Sequence, residues 1–197
     1  TKDFRITEYH QNFMPVVNSL ETEGVAAQLT QSGYNTYKIY LPPNNLTDQD
    51  SRDFKIFIQK MYKDYGLRAV VLHFAGLYAN PDGEWEFLLG NPTEANIKRA
   101  KKLITDFASE MKDAGEAVAA VQLGNENEYY VAGASRVKFG GMAWDNIKFS
   151  PKQYYEFMNA LAKEYKKVDL NHPVFFGHGQ LYPEQQSLLK ENISFYD

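Results

Sequence analysis

An α/β fold, with a parallel sheet covered by helices, is predicted by two alternating hydrophobic patterns. Segments with apolar residues at helical spacing alternate with short, near-continuous apolar runs, which are typical of buried parallel strands. Glycine residues such as Gly33, Gly66 and Gly115 separate each helical segment from the strand that follows it. The 197 residues have the length of one domain, or of part of a larger one.

The first half of the chain contains three predicted strands. "FRIT", residues 4 to 7, is the first, and a helix over residues 13 to 31 ends near Gly33, before the strand "NTYKIYLP". The next apolar residues fall at offsets 0, 3, 4, 7, 8 and 11, which is one face of a helix: Phe54, Phe57, Ile58, Met61, Tyr62 and Tyr65. Gly66 ends this helix, and "LRAVVLHF" is rich in β-branched residues, as expected of a third strand.

The second half repeats the pattern. Asn91-Pro92-Thr93-Glu94 is typical of a helix start, and Ser150-Pro151-Lys152-Gln153 predicts another. The expected buried face of the first of these helices is Ile97, Ala100, Leu103, Ile104, Phe107, Ala108 and Met111. That of the second is Tyr154, Phe157, Met158, Leu161, Ala162 and Tyr165. The strands "AVAAVQL", "PVFFGHG" and, at the terminus, "ISFYD" complete six predicted strands.

Two connections from strand into helix are unusually long, at about residues 74 to 91 and 124 to 150. Long loops inside a compact domain are usually functional or disordered. Both loops leave the carboxyl ends of parallel strands. This is the ligand-binding edge both of a (β/α) barrel and of an open doubly wound sheet, so both folds remain open on this evidence.

Polar residues gather at this edge. The predicted strand ends contribute His73, then Asn125 and Glu126, then His178 and Gln180. The long loops add aromatic residues: Tyr78, Trp85, Tyr129, Tyr130 and Trp144. A carboxylate among neutral hydrogen-bonding groups and aromatic faces suits a sugar, because its hydroxyls need partners and its apolar faces stack on rings. A partly dry Glu126 could protonate a glycosidic oxygen, and Asn125 could hold the sugar 2-hydroxyl.

The stretch "AVQLGNENEYY", residues 120 to 130, resembles the fourth barrel strand of the clan A glycoside hydrolases, which ends in Asn-Glu. Upstream, "SGYNTYKIYLP" resembles the second strand of that clan, and "YGLRAVVLHF" its third, which often ends in His. The resemblance covers roughly residues 15 to 130 in order and spacing. Family 5 is one similar branch of the clan, and "VQLGNE" is also similar to the endo-galactanase family.

The resemblance implies a parallel (β/α) barrel of TIM type, with about strands 1 to 6 in this chain. It implies a retaining glycoside hydrolase that cleaves a β-linked polysaccharide or oligosaccharide without a cofactor. Glu126 would be the general acid/base, Asn125 would bind the 2-hydroxyl, and His73 would contact the substrate. Further candidates for contact with the carbohydrate are Trp85, Tyr129, Trp144 and His178.

Two departures from the clan pattern affect this interpretation. Lys38 stands where many members have an arginine that supports the nucleophile, and lysine lacks the planar fork of a guanidinium. The nucleophile itself is a glutamate after strand seven, whereas the six strands end at residue 197. Because an eight-stranded barrel needs about 250 residues, we expect residues 1–197 to be a single barrel domain within a longer polypeptide. The alternative is a non-catalytic carbohydrate-binding protein on a degenerate barrel that lacks the nucleophile.

Several of these candidate site residues also have simpler, structural interpretations. Glu126 could be a solvated strand end, and His73 could be hydrogen-bonded within the protein without touching a ligand. His172, before Pro173, is expected to be a loop residue only. A metal site formed by His73, Glu126 and His178 lacks any typical ligand spacing.

Composition excludes several classes of partner. The net charge of −4, without a basic cluster, disfavours nucleic acid, and the apolar runs are too short to span a membrane. The absence of cysteine excludes disulfides and thiolate–metal sites. No glycine-rich phosphate loop follows the early strands, which disfavours nucleotide binding. We expect a secreted protein, extracellular or periplasmic, and the oligomeric state is left open.

Overall fold

The computed structural model describes residues 6–8, 24–40, 48–73, 77–79, 85–87, 94–124 and 151–176. Its strands are β1 (Ile6–Glu8), β2 (Thr36–Tyr40), β3 (Arg68–His73), β4 (Leu77–Ala79), β5 (Trp85–Phe87), β6 (Val118–Leu123) and β7 (Val174–Phe176). Its α-helices are α1 (Val25–Gln31), α2 (Asp48–Tyr65), α3 (Glu94–Ala114) and α4 (Pro151–Val168). A short 3₁₀ helix, Gly115–Ala117, leads from α3 into β6.

Five strands form one sheet in the order β1-β2-β3-β6-β7, and every neighbouring pair is parallel. The first five predicted strands are therefore confirmed, and the sixth, "ISFYD", lies outside the described residues. Strand order follows chain order without a reversal across these five strands. An open doubly wound sheet requires a reversal, whereas consecutive units of a (β/α) barrel do not.

The helices pack on one face of this sheet. Their apolar stripes form a single core with alternate strand residues, among them Ile39 on β2, Val71 on β3 and Leu123 on β6. Val70 and Leu72 are also buried, but they point to the opposite face, because successive strand residues alternate. Within the described ranges, helices on one face and strands in chain order match neighbouring units of a (β/α) barrel and argue against the doubly wound alternative.

The helical periodicity predicted most of the core correctly, but Tyr65, Ile97 and Leu103 are only partly buried, and the fully buried Tyr155 was not predicted. Tyr62 is 38% exposed, because it lies about 80° around α2 from Phe54, at the margin of the apolar stripe. The predicted helix over residues 13 to 31 does not run unbroken: Val25 is the first residue of α1, and Gly24 before it has φ 73°. A helix cannot continue through that left-handed conformation, and residues 13 to 23 lie outside the described residues.

The long connection after β3, which was predicted to be a loop, contains a β-hairpin. Strands β4 and β5 pair antiparallel, with Leu77 opposite Phe87 and Ala79 opposite Trp85. Each strand has three residues, which is too short for a period-2 pattern to be recognised. The turn-forming residues Asn80-Pro81-Asp82-Gly83 between them were the available signal.

Candidate active site at the carboxyl edge of the sheet

The carboxyl edge of the sheet, formed by the ends of β3, β6 and β7, is where the sequence placed the functional residues. His73 ends β3 and pairs with Leu123, the last residue of β6. Leu123 also pairs with Phe176, the last residue of β7. The three strands therefore end level with one another, with β6 in the middle, and the chain leaves β6 directly towards Asn125 and Glu126.

Several predicted site residues lie outside the described residues. These are Asn125, Glu126, Tyr129, Trp144 and His178. Trp85 is the first residue of β5, so it lies in the hairpin and not in an irregular loop. The roles predicted for these six residues remain predictions.

His73 packs against the helix layer. Its ring centroid lies 4.7 Å from that of Phe107 on α3, and its place in β3 puts it on the same face as Val71. Burial lowers the pKa of His73 to about 4, so the ring is neutral at physiological pH. This packing favours a structural role for His73, in contact with α3, over direct contact with a substrate.

The chain turns at Gly124 as it leaves β6. Gly124 has φ 73°, a left-handed conformation that residues with a side chain rarely adopt. Its N–H donates to the carbonyl oxygen of His73, with a distance of 2.8 Å between N and O. Its own carbonyl oxygen accepts a hydrogen bond of 2.9 Å from Nε2 of Gln122. Both backbone polar groups of the residue before Asn125 are thus engaged.

Lys38 and Gln122 are buried polar residues on the sheet face opposite the helices, and of the two only Lys38 was singled out from the sequence. Lys38 on β2 is 8% exposed, and Gln122 on β6 is 3% exposed. Gln122 was missed because a single polar residue in an apolar strand reads as an interruption of the pattern. Its contact with Gly124 becomes visible only once the turn at the end of β6 is known.

A second polar cluster occupies the opposite, amino edge, where α4 leads into β7. Asp169 accepts hydrogen bonds from the Tyr165 hydroxyl (2.7 Å), from Nδ1 of His172 (2.6 Å) and from the backbone N–H of Asn171 (2.9 Å). Nε2 of His172 lies 3.0 Å from the carbonyl oxygen of Gly115, before β6. His172 does lie in a loop, as predicted, but it is buried and joins two helix-to-strand turns.

The charges of this cluster are reflected in its pKa shifts. Burial alone would raise the pKa of Asp169, but hydrogen bonds from Tyr165 and His172 hold that pKa below its ordinary value. Burial, reinforced by the hydrogen bond to Asp169, raises the pKa of Tyr165. The cluster therefore contains a carboxylate that the fold keeps ionised. In parallel (β/α) barrels, residues at this edge serve stability, whereas those at the carboxyl edge serve chemistry.

Across the described ranges, no group of three or more His, Cys, Asp or Glu residues could hold a metal ion. Among the helices that the structure describes, none combines the length and apolar character needed to cross a membrane.

Comparison with known proteins extends the fold assignment. No family model and no curated protein matches the chain. Among solved structures, an exo-β-1,4-mannosidase from Opitutaceae bacterium strain TAV5 is similar, with a TM-score of 0.59 and 14% identity over 88% of this chain and 31% of that one. An α-L-fucosidase from Paenibacillus thiaminolyticus has a TM-score of 0.55 and 10% identity over 96% of this chain and 34% of that one.

A third similar structure belongs to another class of enzyme. A sugar phosphate isomerase/epimerase from Parabacteroides distasonis has a TM-score of 0.53 and 12% identity, covering 96% of this chain and 66% of that one. At these identities the similarity concerns the fold alone: this chain has an α/β fold with a parallel sheet, and its structural neighbours are TIM-barrel proteins. The chain spans about a third of the length of the two glycosidases.

Proposed function

We propose that this chain belongs to a retaining glycoside hydrolase that cleaves a β-linked polysaccharide or oligosaccharide, with Glu126 as the general acid/base. The observation that carries the proposal is the place of the Gly124-Asn125-Glu126 sequence. It directly follows β6, the fourth strand of the parallel sheet, whose last residue is in register with the last residues of β3 and β7. Glycosidases among the similar structures share this fold.

The proposed reaction has two steps. Glu126, as a carboxylic acid, gives its proton to the glycosidic oxygen while a carboxylate nucleophile attacks the anomeric carbon and the leaving group departs. Glu126, now a carboxylate, then removes a proton from a water molecule, which attacks the same carbon and releases the nucleophile. Asn125 holds the 2-hydroxyl, a contact that strengthens as the anomeric carbon becomes oxocarbenium-like.

Retention requires the nucleophile to lie about 5 to 5.5 Å from Glu126. Two later glutamates belong to α4. Glu156 is exposed, and Glu164 pairs with Lys101 and Lys167. These contacts place both glutamates in the helix layer, away from the carboxyl edge.

The decisive variant is Glu126→Gln, assayed on a panel of aryl β-glycosides with poor leaving groups, whose departure needs the acid. We expect turnover to fall by about 10² to 10⁴-fold, because general acid/base catalysis contributes about that much. Glu156→Gln, an exposed helical glutamate, is the matched control and should keep full activity. Wild-type turnover in Glu126→Gln would remove Glu126 from the mechanism.

A second candidate function is carbohydrate binding without catalysis. It is consistent with the described part of the chain, in which the glutamates after residue 126, Glu156 and Glu164, lie on α4 and pair with lysines. Calorimetry with oligosaccharides, combined with analysis of products, separates the two functions. Heat of binding without any product supports the binding protein, while any product that Glu126→Gln fails to form supports the hydrolase.

A further inference from the structure

Gln122 is a polar side chain inside an otherwise apolar strand. It is 3% exposed, and its neighbours in register on the adjoining strands are Leu72 on β3 and Phe175 on β7. An amide in such apolar surroundings is costly unless it is hydrogen-bonded. The bond that it makes therefore indicates why a polar residue occupies this position.

That hydrogen bond closes a small turn at the carboxyl edge. Nε2 of Gln122 donates to the carbonyl oxygen of Gly124 over 2.9 Å, and the N–H of Gly124 donates to the carbonyl oxygen of His73 over 2.8 Å. The first bond fixes the peptide plane that joins Gly124 to Asn125. The second ties the same residue to β3. With φ at 73°, the chain changes direction here and no longer follows the alternation of the strand.

We propose that Gln122 is a positioning residue for Asn125 and Glu126, setting the direction in which the chain presents them to the substrate. This inference rests on the function proposed above. Acid catalysis depends on the position of the proton donor, and a displacement of about 1 Å can reduce the rate by about 10²-fold. Gln122 holds the carbonyl oxygen of the peptide group immediately before Asn125, two residues from the proposed proton donor.

The variants should remove the hydrogen bond and little else. Gln122→Met keeps the length of the side chain without a donor. Gln122→Asn keeps the amide but shortens it by one methylene, so that it no longer reaches Gly124. Leu72→Met is the matched control, because Leu72 is the buried neighbour of Gln122 in register and has no polar contact to lose.

The kinetic measurement compares leaving groups. For a substrate with a poor leaving group, which needs the acid, we expect both Gln122 variants to reduce kcat/KM, which reports the first step, by about 10 to 100-fold. For a dinitrophenyl glycoside, which departs without protonation, the loss should be several-fold smaller. Leu72→Met should reduce both rates equally and slightly. Equal losses on both substrates in the Gln122 variants would assign Gln122 a structural role only, and overturn the proposal.

A second measurement does not depend on catalysis. Protein labelled with ¹³C at glutamate carboxyl carbons is titrated by NMR, and the Glu126 signal is identified by its absence in Glu126→Gln. We expect the titration midpoint of Glu126 to move in both Gln122 variants and to stay in place in Leu72→Met. An unmoved midpoint in folded Gln122→Met and Gln122→Asn would overturn the positioning role, whatever the activity of the chain. Full turnover by Glu126→Gln would instead overturn only the proposed function.

Discussion

Each edge of the parallel sheet has a partly or fully buried histidine, and one histidine has apolar surroundings whereas the other has polar ones. At the carboxyl edge, His73 packs on Phe107, and burial lowers its pKa to about 4. At the amino edge, His172 lies between the Asp169 carboxylate and the Gly115 carbonyl oxygen. Each ring nitrogen of His172 thus faces an oxygen atom, whereas the ring of His73 packs on an aromatic ring.

The difference suggests that the amino edge stabilises the fold and that the carboxyl edge carries the proposed active site. At the amino edge, hydrogen bonds to the Asp169 carboxylate and the contact of His172 with Gly115 connect the end of α4 with the turn before β6. At the carboxyl edge, the described contacts around Gly124 are hydrogen bonds between neutral groups. We propose that the charge that acts on a substrate at that edge is that of Glu126. The following predictions test this division, from the largest expected effect to the smallest.

Asp169→Ala should destabilise the protein most. The Tyr165 hydroxyl, Nδ1 of His172 and the backbone N–H of Asn171 would lose their common acceptor inside the protein. Removing one partner from a buried ionic cluster costs about 3 to 5 kcal/mol in the free energy of unfolding, measurable by urea denaturation. Asp106→Ala is the control, since Asp106 pairs with Lys102 on the exposed side of α3 and should change stability by less than about 1 kcal/mol.

The pH dependence of stability should follow from the same cluster. Because the pKa of Asp169 is lowered in the folded protein, its contribution is present above the ordinary carboxyl pKa of about 4 and is lost as pH falls through the folded value. Urea denaturation between pH 3 and pH 7 should show this acid loss in the wild type. A comparable loss between pH 4 and pH 3 in Asp169→Asn would show that another carboxyl causes it.

His73 should lower the stability of the protein in a pH range above that of Asp169. Its folded pKa of about 4 lies below the unfolded value of about 6.5, so the unfolded chain binds more protons between those values. Stability should therefore fall by up to about 1.4 kcal/mol per pH unit as pH drops from 6.5 to 4. His73→Leu keeps an apolar contact with Phe107 and should flatten this slope. An unchanged slope in the variant would place the sensitivity elsewhere.

Tyr165→Phe should have a smaller effect, because it removes one hydrogen bond to Asp169 and leaves the ring in the core. We expect a loss of about 1 to 2 kcal/mol in unfolding free energy. Tyr62→Phe is the matched control on the partly exposed margin of α2 and should lie within about 0.5 kcal/mol of the wild type. Equal effects of the two substitutions would show that the Tyr165 hydroxyl contributes nothing specific.

The sequence predicted what depends on local pattern. The stripes of α3 and α4, the helix start at Pro151 and five strands of the sheet follow from spacing and turn residues, because burial imposes those periods directly. His172 and Gly115 are 57 residues apart, so no local pattern could reveal their contact. Gln122 was missed for a related reason, since its role depends on the turn at Gly124. The hairpin of β4 and β5 is too short to produce a period.

The proposed difference between the two edges is tested most directly by comparing one residue from each edge in the same protein. For Glu126→Gln and Asp169→Asn, kcat/KM on an aryl β-glycoside with a poor leaving group and the melting temperature are measured in parallel. We expect Glu126→Gln to lose about 10² to 10⁴-fold in kcat/KM with an almost unchanged melting temperature. Asp169→Asn should melt several degrees lower yet keep its kcat/KM where it is folded. Wild-type kcat/KM in Glu126→Gln, or loss of turnover in fully folded Asp169→Asn, would contradict the division between the two edges.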